Sequence, residues 1–391
     1  MEPKIQTTQP DVHAAAREHT PVLVRFRDLS IHDGPFRARL LDAFTRLLDH
    51  GQLILGEEVD RFEAAIAEHC GTRFAVGVAS GTSALYLALK GLGIGPGDEV
   101  ITTPFSWVAT LNAIASTGAT PVFADISDDL NIDPAAVAAK ITERTKAIVP
   151  VHFTGRLCDM TALSALANAH GLLLVEDAAQ AFGARAADGR AAGSFGHAAG
   201  FSFNPMKVLP GFGEAGVVTT NDPALAERLI SLRYLGTVNR ESCVEIELNH
   251  KIDSLQAALL VASLPTLDNA IDARARVAEA YGNGLKDIAA LSLPPRGARD
   301  TLFFDYTLQT DGRDDLAAFL VSRGIECKIR HPILMPDQPA YPWLHGLDLP
   351  VARRAVDRIL CLPCHDKLSN ENVDLVIAAV REFHNRPSLA P

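Results

Sequence analysis

The sequence has no apolar run of the ~18–20 residues that a membrane-spanning helix needs, and no cluster of lysines or arginines. We therefore predict no membrane span and no nucleic-acid partner, which also agrees with the formal net charge of −11. The first residues lack the apolar core of a secretory signal. Six scattered cysteines in 391 residues are typical of reduced thiols. Together these features predict a cytoplasmic protein.

Metal ligands at recognisable spacings are also scarce. The segment Cys361-Leu-Pro-Cys364-His365 matches the C-x-x-C-H pattern of haem attachment. Such haem is attached outside the cytosol, and the sequence has no secretion signal, so we reject this interpretation. A zinc site would need a second cysteine pair. We expect no metal, and we interpret His331, His345 and His365 as structural or substrate-side residues.

The chain alternates strands and helices with short loops up to about residue 268, which predicts an α/β fold. Short apolar strands are expected at 74–78, 99–102, 120–124, 146–153 and 172–176, with helices between them. This order favours a mainly parallel sheet between helices. The pattern then changes to a strand at 301–309, a helix at 314–323, a strand at 326–329 and two further helices. We therefore predict a polar tail (1–24), a large domain (25–268) and a small α+β domain (269–391). The helical segment 25–52 is expected to belong to the large domain, with packing on the small domain as an option.

One lysine, Lys207, lies in the glycine- and proline-rich stretch FSFNPMKVLPGFGEAG, residues 201–216. The prolines and glycines exclude a long helix or strand, so Lys207 is expected on a constrained loop between two apolar runs. Burial lowers the pKa of a lysine and makes its amine a nucleophile. A lysine on a loop is more often simply exposed, so its surroundings decide between the two interpretations.

Three further features are expected at the carboxyl ends of predicted strands, where α/β proteins bind ligands. The turn Ala79-Ser80-Gly81-Thr82-Ser83 joins a strand to a helix and predicts an anion site. Asp177 follows the apolar strand 172–176, and Trp107 follows the strand 99–102. Taken singly, each has an ordinary alternative: a capped turn, a helix N-cap and a core aromatic. Together with Lys207 they describe a pocket for pyridoxal 5′-phosphate (PLP), which needs an amine, an acid, a phosphate site and a stacking ring.

The sequence resembles the DegT/StrS-type sugar aminotransferases, a family of PLP-dependent enzymes of fold type I. The likeness begins near Leu53 and covers almost the whole remaining chain. The matching segments, in the order of the family, are GEEVDRFEAAIAEHCGTRFAVGVASGTSALYLAL, GPGDEVITTPFSWVATLNAI, ATPVFADI, RTKAIVPVHFTG, LLVEDAAQAFGA, FSFNPMK, NHKIDSLQAA, RHPILMPDQPAY and ILCLPCHDKLS. The resemblance implies a large domain built on a mainly parallel seven-stranded sheet, a smaller C-terminal domain and a homodimer with shared active sites.

The resemblance also implies a role for each site residue. Lys207 would bind the cofactor through an imine and move the proton of the substrate, and Asp177 would pair with the pyridine nitrogen. The remaining cofactor-binding residues would be Gly81, Thr82 and Ser202 at the phosphate, Trp107 on the ring, Gln180 beside the ring oxygen, and Asn249 from the partner subunit. The expected reaction moves an amino group from an amino acid, expected to be L-glutamate, to a keto group on a nucleotide-activated sugar.

Three departures from the family pattern bear on the acceptor. Val208 stands where many relatives have asparagine, and Lys251 replaces the usual arginine, which removes bidentate hydrogen bonding. Asp305 and Tyr306 fall where some relatives have a substrate-contacting histidine. Transamination of a keto-cyclitol or a non-nucleotide ketosugar therefore stays open, as do a PLP lyase and a non-catalytic PLP-binding regulator.

Overall fold

The computed structural model describes residues 21–295, 297 and 299–386. The helices are Gly34–His50 (α1), Glu57–Cys70 (α2), Gly81–Gly91 (α3), Ala109–Ser116 (α4), Pro134–Ala138 (α5), Met160–His170 (α6), Pro223–Arg233 (α7), Ser254–Ser263 (α8), Leu267–Leu285 (α9), Arg313–Ser322 (α10), Pro350–Arg358 (α11) and Asn370–His384 (α12). The strands are Phe74–Val78 (β1), Glu99–Thr102 (β2), Thr120–Phe123 (β3), Thr145–Val149 (β4), Leu173–Asp177 (β5), Ala198–Ser202 (β6), Gly216–Thr220 (β7), Thr237–Val238 (β8), Ser242–Cys243 (β9), Tyr306–Gln309 (β10) and Ile359–Leu362 (β11). In the described residues no helix is long and apolar enough to cross a membrane.

Strands β1 to β7 form one seven-stranded sheet in the order β1-β7-β6-β5-β4-β2-β3. Only β7 runs against its neighbours, because it pairs antiparallel with both β1 and β6. The other pairs are parallel. The prediction of a mainly parallel α/β sheet is therefore confirmed. The carboxyl ends of β1, β2, β4, β5 and β6 lie at one edge of this sheet.

Helices cover both faces of the sheet, as the near-continuous apolar strands predict. On one face Phe201 packs with Phe62 of α2 and Leu260 of α8. On the other face Val218 packs with Leu85 of α3 and with residues of α7. Strands β5, β6 and β7 are consequently buried on both sides, and they hold the loops at their ends in fixed positions.

The C-terminal part adds a two-stranded antiparallel sheet, β10 and β11, packed against α9, α10 and α12. The predicted strand at 326–329 is wrong, and the strand predicted at 301–309 is limited to β10. Lys328 forms only an isolated bridge to Cys361, because one pair of backbone hydrogen bonds joins this extended segment to β11. The division of the chain at residue 268 stays a prediction.

The segment ahead of α2 contacts both parts of the chain. Val24 bridges Ile325 beside α10 and belongs to the C-terminal core. Helix α1 instead packs on α8, with Leu40 and Ala43 among the contacting residues. The first residues of this segment therefore lie on the C-terminal part, and its helix lies on the helices of the large sheet.

Candidate active site

Lys207 lies on the loop between β6 and β7, at the end of a short turn that follows β6. Its backbone N–H donates to Asn204 O at 2.9 Å, which fixes the turn. Its ammonium nitrogen lies 4.9 Å from the centre of the Phe304 ring. Within the part of the chain that the structure describes, Lys207 Nζ has no hydrogen-bond acceptor and no carboxylate within 4.0 Å. The Lys207 amine is thus held against the Phe304 ring and forms no ion pair there.

Burial lowers the pKa of Lys207 to about 8, and the nearby Arg330 guanidinium acts in the same direction. The carboxylate of Asp177 opposes this shift, as do the more weakly acting Asp305 and Glu214. A lysine amine with such a pKa is neutral in a substantial fraction of molecules near neutral pH, which the amine of an exposed lysine is not.

Asp177 ends β5 at the carboxyl edge of the sheet, and only 4% of it is exposed. Its Oδ2 accepts a hydrogen bond of 2.6 Å from Thr110 Oγ1, and its Oδ1 accepts one of 3.2 Å from Ala179 N. Burial raises the pKa of Asp177, whereas these hydrogen bonds and the charge of Lys207 act to lower it. Asp177 and Lys207 therefore influence each other across the same space, as the sequence predicts.

Thr110 was missed by sequence reasoning, although it is the strongest hydrogen-bond partner of Asp177. It lies in the first turn of α4, directly after the loop of Trp107, and it is buried. A threonine at the start of a helix is usually interpreted as a capping residue. Here the turn from β2 into α4 places its hydroxyl next to the end of β5. The only signal in the sequence is its position three residues after Trp107.

The turn after β1, where the sequence predicts an anion site, forms a cup at the N-terminus of α3. Ser80 caps α3, since its Oγ accepts from Ser83 N at 3.1 Å. Among the described residues, the N–H groups of Gly81 and Thr82 have no acceptor. A Cβ atom at Gly81 would lie 2.6 Å from Ser202 Cβ, so only glycine lets Ser202 come this close to the turn. The turn and the end of β6 thus bring Gly81, Thr82 and Ser202 together at a helix N-terminus, where anions bind.

Trp107 and Gln180 lie on two other loops at the same edge of the sheet. Trp107 is 64% exposed, and its ring centre lies 6.1 Å from that of His331. Gln180 is 8% exposed, and its Oε1 accepts from Thr154 N at 2.9 Å, which leaves its amide NH₂ as the group that can face a ligand. The exposed indole of Trp107 is a surface on which a flat ring can stack.

Asn249 is not part of this cluster in the single chain. It is exposed, and its Oδ1 accepts from Lys251 N at 3.2 Å. Its segment runs beside the turn after β1, where Ala79 N donates to His250 O at 2.8 Å. The Lys251 ammonium lies 3.9 Å from the centre of the Tyr234 ring. The position of Asn249 next to a partner's site therefore stays a prediction.

A buried cluster of charges around Asp305 was also missed. Its side chain is 2% exposed and binds Arg27 at 2.7 Å and Arg330 at 2.8 Å. The two arginines and Lys207 all lie against the Phe304 ring. Sequence reasoning could not have found the cluster, because Arg27 and Asp305 are 278 residues apart. Asp305 thus binds two arginines at once. One of them, Arg330, is close enough to act on the charge of Lys207.

Three residues with left-handed backbone surround the same region. Thr154, Phe303 and His331 have φ values of 55°, 48° and 49°. Such a conformation costs about 1–3 kcal/mol for a residue other than glycine and is common at functional sites. Burial lowers the pKa of one of them, His331, to about 4, so its ring is neutral at neutral pH.

No group of three or more histidine, cysteine, aspartate or glutamate side chains is placed to hold a metal ion within the described residues. Cys361 and Cys364 are both fully buried thiols. Burial raises the pKa of Cys361 to about 12 and that of Cys364 to about 11. Both are therefore neutral groups of the C-terminal core.

Comparisons with known proteins agree on one group of enzymes. Residues 36–381 match the DegT/DnrJ/EryC1/StrS aminotransferase family. The dTDP-3-amino-3,4,6-trideoxy-alpha-D-glucose transaminase of Streptomyces venezuelae is 41% identical over 95% of this chain and 99% of its own. A pleiotropic regulatory protein of Geobacillus stearothermophilus is 37% identical over 91% and 97%. The crystal structure of S. venezuelae DesV in complex with a ketimine intermediate superposes with a TM-score of 0.90, at 41% identity over 94% of this chain and all of that one.

Proposed function

The chain belongs to the DegT/DnrJ/EryC1/StrS aminotransferase family, and we propose that it moves an amino group from L-glutamate to a keto group on a nucleotide-activated sugar. The observation that carries the proposal is the pair of Lys207 and Asp177, a lysine amine with a lowered pKa facing a buried carboxylate. The nucleotide-sugar acceptor is supported by the Streptomyces relative, which is a transaminase of a dTDP-sugar.

The arrangement of the residues fits PLP as the cofactor. In the described residues the cup offers the unpaired N–H groups of Gly81 and Thr82, with Ser202 packed against Gly81, for the phosphate. Trp107 would lie on the ring, and Gln180 would donate to the ring oxygen. PLP supplies an electron sink for the carbanion that forms when the donor loses its α-proton.

The protein's own groups account for the remaining steps. Lys207 would hold the cofactor through its amine, and the same amine would accept and return the proton of the substrate. Asp177 would hold the proton on the pyridine nitrogen through a charge-assisted hydrogen bond. Thr110 holds the Asp177 carboxylate in one orientation through the bond at 2.6 Å.

A two-stage assay tests the proposed function. The PLP-loaded protein is mixed with L-glutamate alone, and 2-oxoglutarate is measured; a candidate keto nucleotide-sugar is then added, and the amino sugar is identified by mass spectrometry. We expect one equivalent of 2-oxoglutarate per site in the first stage and turnover only after the sugar is added. A protein that binds PLP but forms no 2-oxoglutarate would be a non-catalytic binder, and release of ammonia without an acceptor would indicate a lyase. Turnover of a ketone without a nucleotide would favour the cyclitol or ketosugar alternative.

We also propose a homodimer in which Asn249 reaches the phosphate site of the partner. The residues that precede Asn249 carry exposed apolar side chains: Val244 is 65%, Ile246 91% and Leu248 71% exposed. These three residues lie within five positions of one another, directly ahead of Asn249. Exposed apolar side chains grouped in this way are typical of an interaction surface, and a partner covering them would meet Asn249 beside them.

Subunit mixing tests the shared site. Lys207→Ala and Asn249→Ala subunits, each impaired as a homodimer, are expected to regain activity in about a quarter of the sites when they exchange freely. One site of each mixed dimer then carries both defects and the other neither. Mixing Lys207→Ala with Asp177→Asn is the matched control, because both residues belong to one chain's cluster and no intact site can form. Absence of recovery, with mixed dimers verified by native mass spectrometry, would overturn the shared site.

A further inference from the structure

A cavity of about 260 Å³ lies against the loop that carries Lys207, and two residues of the site described above, Arg27 and Lys207, are among its lining residues. Residues 205–212 form one wall, residues 27–36 a second, and the beginning of α9 with residues 365–367 the rest. Asp177, Gln180 and the cup at Gly81 do not line it. Lys367 Nζ donates to Asp28 O at 3.0 Å and so ties the C-terminal wall to the N-terminal one.

Arg274 of α9 contributes a buried charge to this cavity, and only 3% of the residue is exposed. Its Nη1 donates to Cys364 O at 2.7 Å, with longer contacts of 3.3 and 3.4 Å to Phe304 O and Phe303 O. Throughout residues 21–295, 297 and 299–386 no carboxylate lies within 4.0 Å of its guanidinium, and Nη2 has no acceptor. A buried guanidinium is normally paired with an anion, because its charge is costly to remove from water.

The other charged side chains of the cavity do not neutralise Arg274. Among the lining cations, Arg27 is paired with Asp305 and Lys367 donates to Asp28 O, and the two lining carboxylates are Asp28 and Asp366. The Asp28 carboxylate already accepts from Ser30 N at 2.9 Å and Ser30 Oγ at 2.5 Å. Asp366 is exposed, and it is too far from Arg274 for an ion pair. The positive charge of Arg274 therefore lacks a partner of the opposite sign.

The rest of the lining is largely apolar. It includes Leu29, Ile31, Phe36, Met206 and Phe212. Inorganic phosphate could pair with Arg274 but would leave the apolar lining exposed to water. A carboxylate on a short hydrocarbon body can pair with Arg274 and cover the apolar lining at the same time. We propose that the cavity binds a small organic carboxylate, which pairs with Arg274 and lays its apolar body against residues 205–212. The occupant would contact the loop that positions Lys207, so its binding and the catalytic lysine share one structural element.

Titration calorimetry on the PLP-loaded protein tests the proposal with 3-methylbutanoate as the probe and 3-methylbutanamide, its neutral counterpart, as the control. We expect the carboxylate to bind at least about tenfold more tightly than the amide, since only the former forms a charge-assisted pair. Arg274→Gln is expected to abolish this preference. Arg276→Gln, an exposed position on the same helix, is expected to keep it.

A cavity-filling variant tests the proposal independently, in case Arg274→Gln fails to fold. Ala270 also lines the cavity, and Ala270→Trp fills it while Arg274 is kept, so binding of 3-methylbutanoate should be lost. Equal binding of the acid and the amide, no binding to the wild type, or binding that survives Ala270→Trp would overturn the proposal. Survival would place the probe outside this cavity. The measurement needs no turnover, so its failure is distinguishable from a failure of the proposed transamination.

Discussion

Replacing Lys207 by alanine is expected to lower turnover in both half-reactions by about 10⁴-fold or more, because one side chain supplies both the nucleophile and the proton-transferring base. Among the residues that the structure describes, no second lysine lies against Phe304. Lys207 is the lysine that lies against Phe304 and acts on the charge of Asp177, whereas Lys251 lies against Tyr234 on another segment. Lys140→Ala, at an exposed lysine, is the matched control and should keep wild-type turnover.

Borohydride reduction of the PLP-loaded protein checks the same assignment without an activity assay. The visible absorption of the bound cofactor should disappear, and peptide mass spectrometry should place the reduced adduct on Lys207. The pKa of about 8 adds a pH signature. The amine is protonated below this pH and free above it, so the rate at which the apoprotein takes up PLP should rise through about pH 8. An adduct on another lysine, or a Lys207→Ala variant that matches Lys140→Ala, would sink the assignment.

The parts of the fold that the sequence predicts are those in which local pattern and tertiary structure agree. The strands that become β1 to β5 are short apolar runs between helices, and Asp133 followed by Pro134 marks the start of α5 as its N-cap. The segment 326–329 fails because its residues alternate like a strand but have one bridging partner only. The pairing of an isolated segment depends on its neighbour in space, which no local pattern contains.

The residues of the candidate site likewise fall into those that the sequence predicts and those that it does not. Lys207, Asp177 and the turn at Gly81 are found because each follows a strand, and the ends of parallel strands meet at one edge. Arg27, Asp305 and Arg330 are not found, since residues from three distant segments meet only after the C-terminal part has packed on the N-terminal segment. Arg274 is likewise hidden, because its burial comes from packing and its α9 sequence reads as a helix with charged faces.

The electrostatics of Asp177 explain why a carboxylate, and not merely a polar cap, belongs at the end of β5. Its burial raises its pKa, so the ionised form is favoured only by nearby donors and cations. Thr110 and Ala179 donate to it, and Lys207 adds positive charge. In the proposed complex Asp177 would pair with the protonated pyridine nitrogen. A helix cap alone would not require a residue that is only 4% exposed, with one carboxylate oxygen held by a threonine of α4.

Asp177→Asn is accordingly expected to retain PLP and the fold but to lower both half-reactions by about 10²–10³-fold, the usual effect of removing one electrostatic partner of the transition state. Asparagine keeps the size of the side chain and an oxygen that can accept from Thr110, so what is removed is the negative charge. Cofactor content is read from absorbance and each half-reaction from stopped-flow spectra. Asp188→Asn, at an exposed aspartate that pairs with Arg190, is the control and should leave both rates unchanged. A smaller loss is expected for Thr110→Val, which keeps the carboxylate and removes only the hydrogen bond that orients it. If Asp177→Asn turned over at near wild-type rates in both half-reactions, the carboxylate would be a helix cap and the proton on the ring nitrogen would have to be held by another group.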